Sequence, residues 1–144
     1  MGPRLVLDPV VAREPQMNAE TDRRRCLLVV EDDPAIRDLL VAIVKDAGCD
    51  AIHAEDGHDA LRLARSARPR LITLDLGLPG LDGRAVLRAL KTDPATANIL
   101  VIVVSTYADQ LDPRDQQAAF AIVRKPFDID DLIRQIARAL DAAA

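Results

Sequence analysis

Aromatic residues are nearly absent from this chain, at 2% of its 144 residues. Its core must therefore be built from Val, Leu, Ile and Ala, within a composition that is 49% hydrophobic. Cysteine is equally scarce. Cys26 and Cys49 are the only two, too few for the disulfide framework that holds small secreted domains together. Both stand at predicted strand starts, where a thiol acts as a small buried apolar group. No apolar run approaches the roughly 20 residues of a helical membrane span, and the N-terminus lacks the apolar segment of a secretory leader. A concentrated basic face is missing too. The net charge is -4, so no direct nucleic-acid surface is expected. These absences together point to a reducing cytoplasm and to no membrane insertion.

What is present suits one domain with one core. Residues 1–25 carry Pro3, Pro9 and Pro15 with little periodicity and read as a flexible N-terminal tail. The domain is expected over 26–141. Met17, followed by a short polar lead into the first strand, is a candidate start of translation. Arg23, Arg24 and Arg25 read as a solvated flank to that strand, with a docking patch as the alternative.

The domain is organised around residues 71–83, LITLDLGLPGLDG. An apolar run ends in Asp75, and a Pro-Gly turn follows, the pattern of a buried strand with a carboxylate at its carboxyl end. A first strand at 26–30 (CLLVV) ends in Glu31, Asp32 and Asp33. Asp33 is placed to cap a helix that opens with Pro34 and buries Ile36, Leu39, Leu40, Ile43, Val44 and Ala47 before Gly48 ends it. A second strand covers 50–54 and a second helix 57–67. A third helix over 83–91 is capped by Asp82. The fourth strand, 100–104, ends at Ser105, and a fifth at 121–123 leads to Lys125. The last helix starts near Asp128, with Leu132, Ile133, Ile136, Ala137 and Leu140 as its apolar stripe.

Five alternations of strand and helix imply right-handed crossovers and a parallel sheet covered on both faces. Ligands of such sheets bind at the carboxyl ends of the strands. Glu31, Asp32, Asp75, Ser105 and Lys125 all fall there. Three carboxylates beside one ammonium carry excess negative charge and call for a cation. Hard oxygen donors favour magnesium. Magnesium, a hydroxyl and a lysine around a carboxylate are the parts of a phosphoryl-transfer site. His53 and His58 lack metal-ligand spacing and read as structural or exposed.

Four pieces, VVEDDP at 29–34, LDLGLPGLDG at 74–83, VVST at 103–106 and KPF at 125–127, appear in an order and at separations that resemble the receiver domain of two-component response regulators. The resemblance implies a flavodoxin-like doubly wound sheet of five parallel strands in the order 2-1-3-4-5. It implies that Asp75 is the phosphoacceptor, charged from a phosphohistidine on a sensor histidine kinase or histidine phosphotransfer protein. Glu31, Asp32, Asp75 and the Gly77 carbonyl would hold Mg2+, Ser105 and Lys125 would contact the phosphoryl group, and the Lys125–Pro126 bond would be cis. Gly77 and Tyr107 would flank the site. The chain is not expected to be an enzyme beyond its own self-phosphorylation and autodephosphorylation. It reads as a single-domain response regulator whose output is protein binding or onward phosphotransfer.

There are departures from the family's pattern. The acidic pair opens with Glu31 rather than Asp. The position of the switch aromatic on the fifth strand holds Ile122, with Phe120 two residues earlier, on the same strand face if the strand reaches that far. Segment 106–119 is short, holds Pro113 and shows only a weak helical face, so an atypical fourth helix is expected there. With Ile122 stiff and lacking a hydroxyl, the signal is expected to pass through Thr106, Tyr107 and the rest of that segment. Two alternatives remain open. One is a module of this fold that binds without phosphorylation. The other is a magnesium-dependent phosphatase with Asp75 as nucleophile, against which the missing second acid at Gly77 counts.

Overall fold

Each apolar run becomes a strand: β1 (Cys26–Val30), β2 (Asp50–Ala54), β3 (Leu71–Leu74), β4 (Leu100–Ser105) and β5 (Ala121–Arg124). The computed structural model describes residues 26–143. The tail expected over 1–25, with Met17 and the arginine run, lies outside the described residues. All five strands pair in parallel in the order β2-β1-β3-β4-β5. The chain reverses its direction of winding between β1 and β3, which opens a crevice at their carboxyl ends. The linking helices are α1 (Pro34–Asp46), α2 (Gly57–Ala67), α3 (Gly83–Thr92), α4 (Pro113–Ala118) and α5 (Ile129–Ala143). This is the flavodoxin-like, doubly wound architecture.

Strand side chains alternate between faces, and both faces are aliphatic. Leu28, Val30, Ile72, Leu74, Val101 and Val103 pack with Ala60, Ala64, Val86, Leu87 and Leu90 of α2 and α3. Leu27, Val29, Ile102, Val104 and Val123 pack with Leu40, Ile43 and Val44 of α1 and Leu132, Ile136 and Ala139 of α5. Burying each large aliphatic side chain contributes about 1.5–3 kcal/mol, and this replaces the aromatic packing the composition denies.

All five helices open on an aspartate. The Asp33, Asp56, Asp82 and Asp112 carboxylates accept backbone amides at the starts of α1 to α4. The Asp128 carboxylate accepts the Asp130 and Asp131 amides at 2.8 and 3.3 Å before α5. Each such cap is worth about 1 kcal/mol. Pro34 and Pro113 occupy first helical positions, where a missing N–H costs nothing.

Two expectations are corrected by the packing, and one holds. On α5 the face turned to the sheet is Leu132, Ile136 and Ala139; Ile133 and Ala137 are exposed and Leu140 is half-buried. On α1 Leu39 is exposed, because Leu40, Ile43 and Val44 set the helix's rotation, and Ala47, also expected inward, is exposed at the cap just past the helix. Cys49 precedes β2 and is buried, and burial pushes its thiol up, as expected of an inert structural group.

The fourth helix is indeed atypical. A 3-10 turn at Ala108–Gln110 precedes α4, which is only 6 residues long. Its weak apolar pattern has a physical reason. The residue it buries next to Leu111 is a carboxylate, Asp115, which is 3% exposed. Arg88 of α3 clamps Asp115 through two bonds, Nε to Oδ1 at 3.0 Å and Nη2 to Oδ2 at 2.7 Å.

That clamp holds the Asp115 carboxyl below the usual carboxylate range. A depressed folded-state value means the stabilisation is present above the ordinary aspartate value, about 3.9, and is lost as pH falls through the lower one. Asp115→Asn is expected to lower the melting temperature at pH 7 by roughly 3–6 °C. In a pH series of thermal melts, the gap to wild type should persist down to about pH 4 and close only below it.

Candidate functional site

The sheet ladder continues one residue past the strands, and that extension positions the acids. The Glu31 amide donates to the Ala54 carbonyl at 3.1 Å, and the Asp75 amide donates to the Val30 carbonyl at 3.0 Å. On the other side, the Lys125 amide donates to the Ser105 carbonyl at 3.2 Å. Backbone pairing therefore fixes where Glu31, Asp75 and Lys125 leave the sheet, before any side chain interacts.

The side chains then converge. Lys125 Nζ donates to Glu31 Oε1 at 2.6 Å and to Asp75 Oδ2 at 3.4 Å. The remaining Glu31 oxygen accepts the Asp33 amide at 3.2 Å, and Asp75 Oδ1 accepts the Gly77 amide at 3.3 Å. Glu31, Asp75 and Ser105 are all buried, while Asp32 is exposed. Ser105 Oγ accepts the Leu76 amide at 3.4 Å and the Tyr107 amide at 3.0 Å. Lys125–Pro126 is cis.

Burial pushes the Glu31 carboxyl above its ordinary range. The Lys125 and Asp33 hydrogen bonds pull against this, and the Asp75 charge adds to it. Burial also opposes the charge on Lys125, but the Glu31 hydrogen bond and the Asp75 carboxylate outweigh it and raise its pKa. The lysine is therefore held cationic between two acids.

One ammonium does not balance three carboxylates. Oxygen atoms of Glu31, Asp32 and Asp75 lie within 4.8 Å of one another, an all-oxygen donor set with one solvent-facing member. Such a set fits a magnesium ion that keeps part of its water shell.

Two glycines shape the rim. A Cβ at Gly83 would come within 2.3 Å of the Asp75 carbonyl oxygen and 2.4 Å of Leu76 Cα. The start of α3 is thus seated directly on the backbone of the site, and the Gly83 amide donates to the Leu76 carbonyl at 2.9 Å. A Cβ at Gly77 would lie 2.7 Å from Cε2 of Tyr107, so the half-exposed Tyr107 ring occupies the space that a side chain at 77 would need.

The residues singled out from sequence at the strand ends are brought together, but the fifth-strand pair is not. Ile122 packs into the α2/α3 face and Phe120 into the α1/α5 face, where the Arg138 guanidinium lies 5.7 Å from the Phe120 ring centroid. The strand does not reach Phe120, because β5 begins at Ala121, so the condition for a shared face is not met. Thr106 is exposed, as are His53 and His58. The Leu76 amide on Ser105 and the seating of Gly83 escaped sequence reasoning, since backbone groups carry no residue-type signal. The Arg88–Asp115 clamp had a weak one, an acid in the first turn of a short amphipathic segment.

Parallel α/β domains that gather carboxylates, a hydroxyl and a lysine at their strand ends form a class built to handle a metal ion and a phosphoryl group. A family model described as the response regulator receiver domain matches residues 27–137, and the chain belongs to that family of two-component systems. It is similar to the DNA-binding dual master transcriptional regulator RpaA of Synechocystis, at 38% identity over 113 residues, covering 76% of this chain and 46% of RpaA. It is similar to the sporulation initiation phosphotransferase F of Bacillus subtilis, at 33% identity over 108 residues, covering 74% of this chain and 86% of that protein. Among solved structures it resembles the receiver domain of a Pseudomonas aeruginosa sensor histidine kinase with magnesium coordinated in the active-site cleft. That match has 28% identity and a TM-score of 0.73, covering 81% of this chain and 98% of the other. The chain spans half or less of the DNA-binding regulators it matches. Among the described residues no helix is long and apolar enough to cross a membrane.

The donor set generates a direct expectation. Millimolar magnesium should raise the melting temperature of the wild type by mass action. Asp32→Asn removes a carboxylate that the fold does not bury, and is expected to weaken that response at least tenfold in metal concentration. An unchanged titration in the variant would exclude Asp32 from the metal site.

Proposed function

We propose that Asp75 accepts a phosphoryl group from a phosphohistidine on a sensor histidine kinase or histidine phosphotransfer protein, and that the phosphorylated domain signals through other proteins. The observation that carries this reading is the Lys125 ammonium held between Glu31 and Asp75. A fixed positive charge thus stands against the Asp75 carboxylate, at the carboxyl end of β3 beside the switch in strand order.

The chain's own groups divide the work. The Gly77 amide on Oδ1 and Lys125 on Oδ2 fix the plane of the Asp75 carboxylate. An Asp75 oxygen attacks phosphorus, the P–N bond breaks, and its electron pair returns to the imidazole of the donor. Lys125 follows the charge onto the phosphoryl oxygens. Ser105 Oγ accepts two amides and so keeps its single O–H for a phosphoryl oxygen. Glu31, Asp32, Asp75 and the Gly77 carbonyl would hold Mg2+, which when bound neutralises charge on the transferring group. Phosphorylation and its reversal are self-directed, with no separate substrate turned over. The similarity to a phosphotransferase supports onward transfer as one output, with binding to an unidentified protein target as the other. A cytoplasmic location suits both kinds of partner.

The assignment is checked by intact mass after treatment with acetyl phosphate. One phosphoryl group is expected on the wild type in magnesium, none after chelation, and none on Asp75→Asn. Labelling of that variant to the same extent would remove Asp75 from the role.

The Tyr107 ring over Gly77 supplies a second expectation. With no side chain at 77, this ring is the nearest bulk able to restrict water reaching an acyl phosphate on Asp75. Tyr107→Ala should shorten the phosphoryl half-life, read by loss of label over time. Unchanged or slower decay would mean that the ring does not shield the site.

A further inference from the structure

We propose that residues 5–11 of the N-terminal tail dock in an apolar groove between α1 and α5 and cover that face of the domain. The docking does not depend on the role of Asp75.

The groove is where the packing leaves apolar residues over. A cavity of about 220 Å³ between the two helices is lined by Ile43, Ala47, Ile133, Ile136, Ala137 and Leu140. Ala47, Ile133 and Ala137, expected inward from their spacing, are exposed instead. Leu39 stands one turn before Ile43, and Ile129 one turn before Ile133. Leu39, Ile43 and Ala47 therefore form one row along α1, and Ile129, Ile133 and Ala137 form another along α5, each spaced by four residues. Among the described residues four large apolar or aromatic side chains are exposed. Three of them, Leu39, Ile129 and Ile133, belong to these rows. Such a concentration on one face marks an interaction surface.

The chain enters the domain at the mouth of this groove. Cys26, the first residue of β1, pairs with Asp50, three residues after Ala47 at the end of α1. Leu27 pairs with Leu71, and the guanidinium of the preceding Arg70 donates to the Leu140 carbonyl near the end of α5. Both walls of the groove are thus tied to the level at which residues 1–25 join the sheet. Charge points the same way. Asp46 and Asp141 are exposed where the two helices end. α5 carries no base in its last turn, although a helix end favours cations. Arg23, Arg24 and Arg25 directly precede β1. On the opposite face α2 ends with Arg65 and its cap Arg68, of the same sign as that run.

Reach and composition complete the match. Residues 5–11 read LVLDPVV, with five aliphatic side chains in seven positions. Residues 12–25 separate them from β1. A tether of that length has a typical end-to-end distance of about 20 Å. From Leu140 to Ile129 the groove runs about 17 Å at the helical rise. A short tether supplies a millimolar local concentration, so a segment of modest affinity fills the groove ahead of a second copy of the chain. A partner that needs this face must first displace the tail.

The test uses the full chain with labelled isoleucine methyl groups, read by NMR. Leu7→Asp with Val10→Asp alters only the tail, so the fold of the domain is not at stake. Signals of Ile43, Ile133 and Ile136 are expected to shift in this variant. Those of Ile72 and Ile99, in the α2/α3 face, should stay in place. Trypsin cleavage after Arg4 gives a second reading. The tail variant and the groove variant Ile133→Asp should each speed it about fivefold, as for a segment released from a mostly docked state. Combining them should add nothing. Unmoved groove signals in the tail variant, or cleavage as fast in the wild type as in either variant, would overturn the proposal. Groove signals that move when the wild type is diluted would give the groove to a second copy, and overturn it as well.

Discussion

The site depends on one ammonium group. Glu31 and Asp75 are both buried. Two carboxylates this close in a partly desolvated crevice would repel one another and take up protons. Lys125 Nζ, bonded to both, sets a positive charge between them and offsets that repulsion. The dependence runs both ways, because a lysine with this little solvent keeps its charge only beside acids. Removing either side of the arrangement leaves the other as an uncompensated buried charge, a costlier state than having neither.

The scaffold brings this about with ordinary means. Aliphatic strands stack between helices, aspartates start each helix, and the parallel order leaves one crevice where the winding reverses. The polar groups of the site stand at the last strand residue or in the loops just beyond it, while the opposite end of the sheet carries none of them. Gly83 seats α3 on the Asp75 and Leu76 backbone, and segment 106–119 leaves the site from Ser105, whose Oγ accepts the Tyr107 amide.

Much of this was legible in the sequence, for reasons that differ by residue. Short apolar runs rich in Val, Leu and Ile bounded by turn residues read as strands, and aspartate caps mark where the helices begin, so the elements emerge with bounds close to those observed. Glu31, Asp75, Ser105 and Lys125 were visible because each ends an apolar run, where a polar residue has to point out of the core. Reading failed where burial is decided by rotation rather than by residue type. Ile133 was assigned inward and Ala139 was overlooked, though a shift of one residue along a helix separates the two patterns. A second limit is Phe120, which lies just outside β5, so that strand's alternation does not decide its face. Asp115 shows a third kind of failure: its buried position depends on an arginine 27 residues away, which no local pattern reports.

The ladder that runs past the strands has a consequence for how this protein can vary. The spacing of Glu31 and Asp75 is set by peptide groups bonded across neighbouring strands, which stand about 4.8 Å apart in any sheet. It is not set by the shapes of the side chains beneath. Replacing one aliphatic core residue with another changes how firmly the sheet is held, but hardly changes the distance between the two acids. The metric of the site is a property of the backbone. A lineage that keeps the acids, the hydroxyl and the lysine is free to rewrite most of its interior without retuning the chemistry at the top of the sheet.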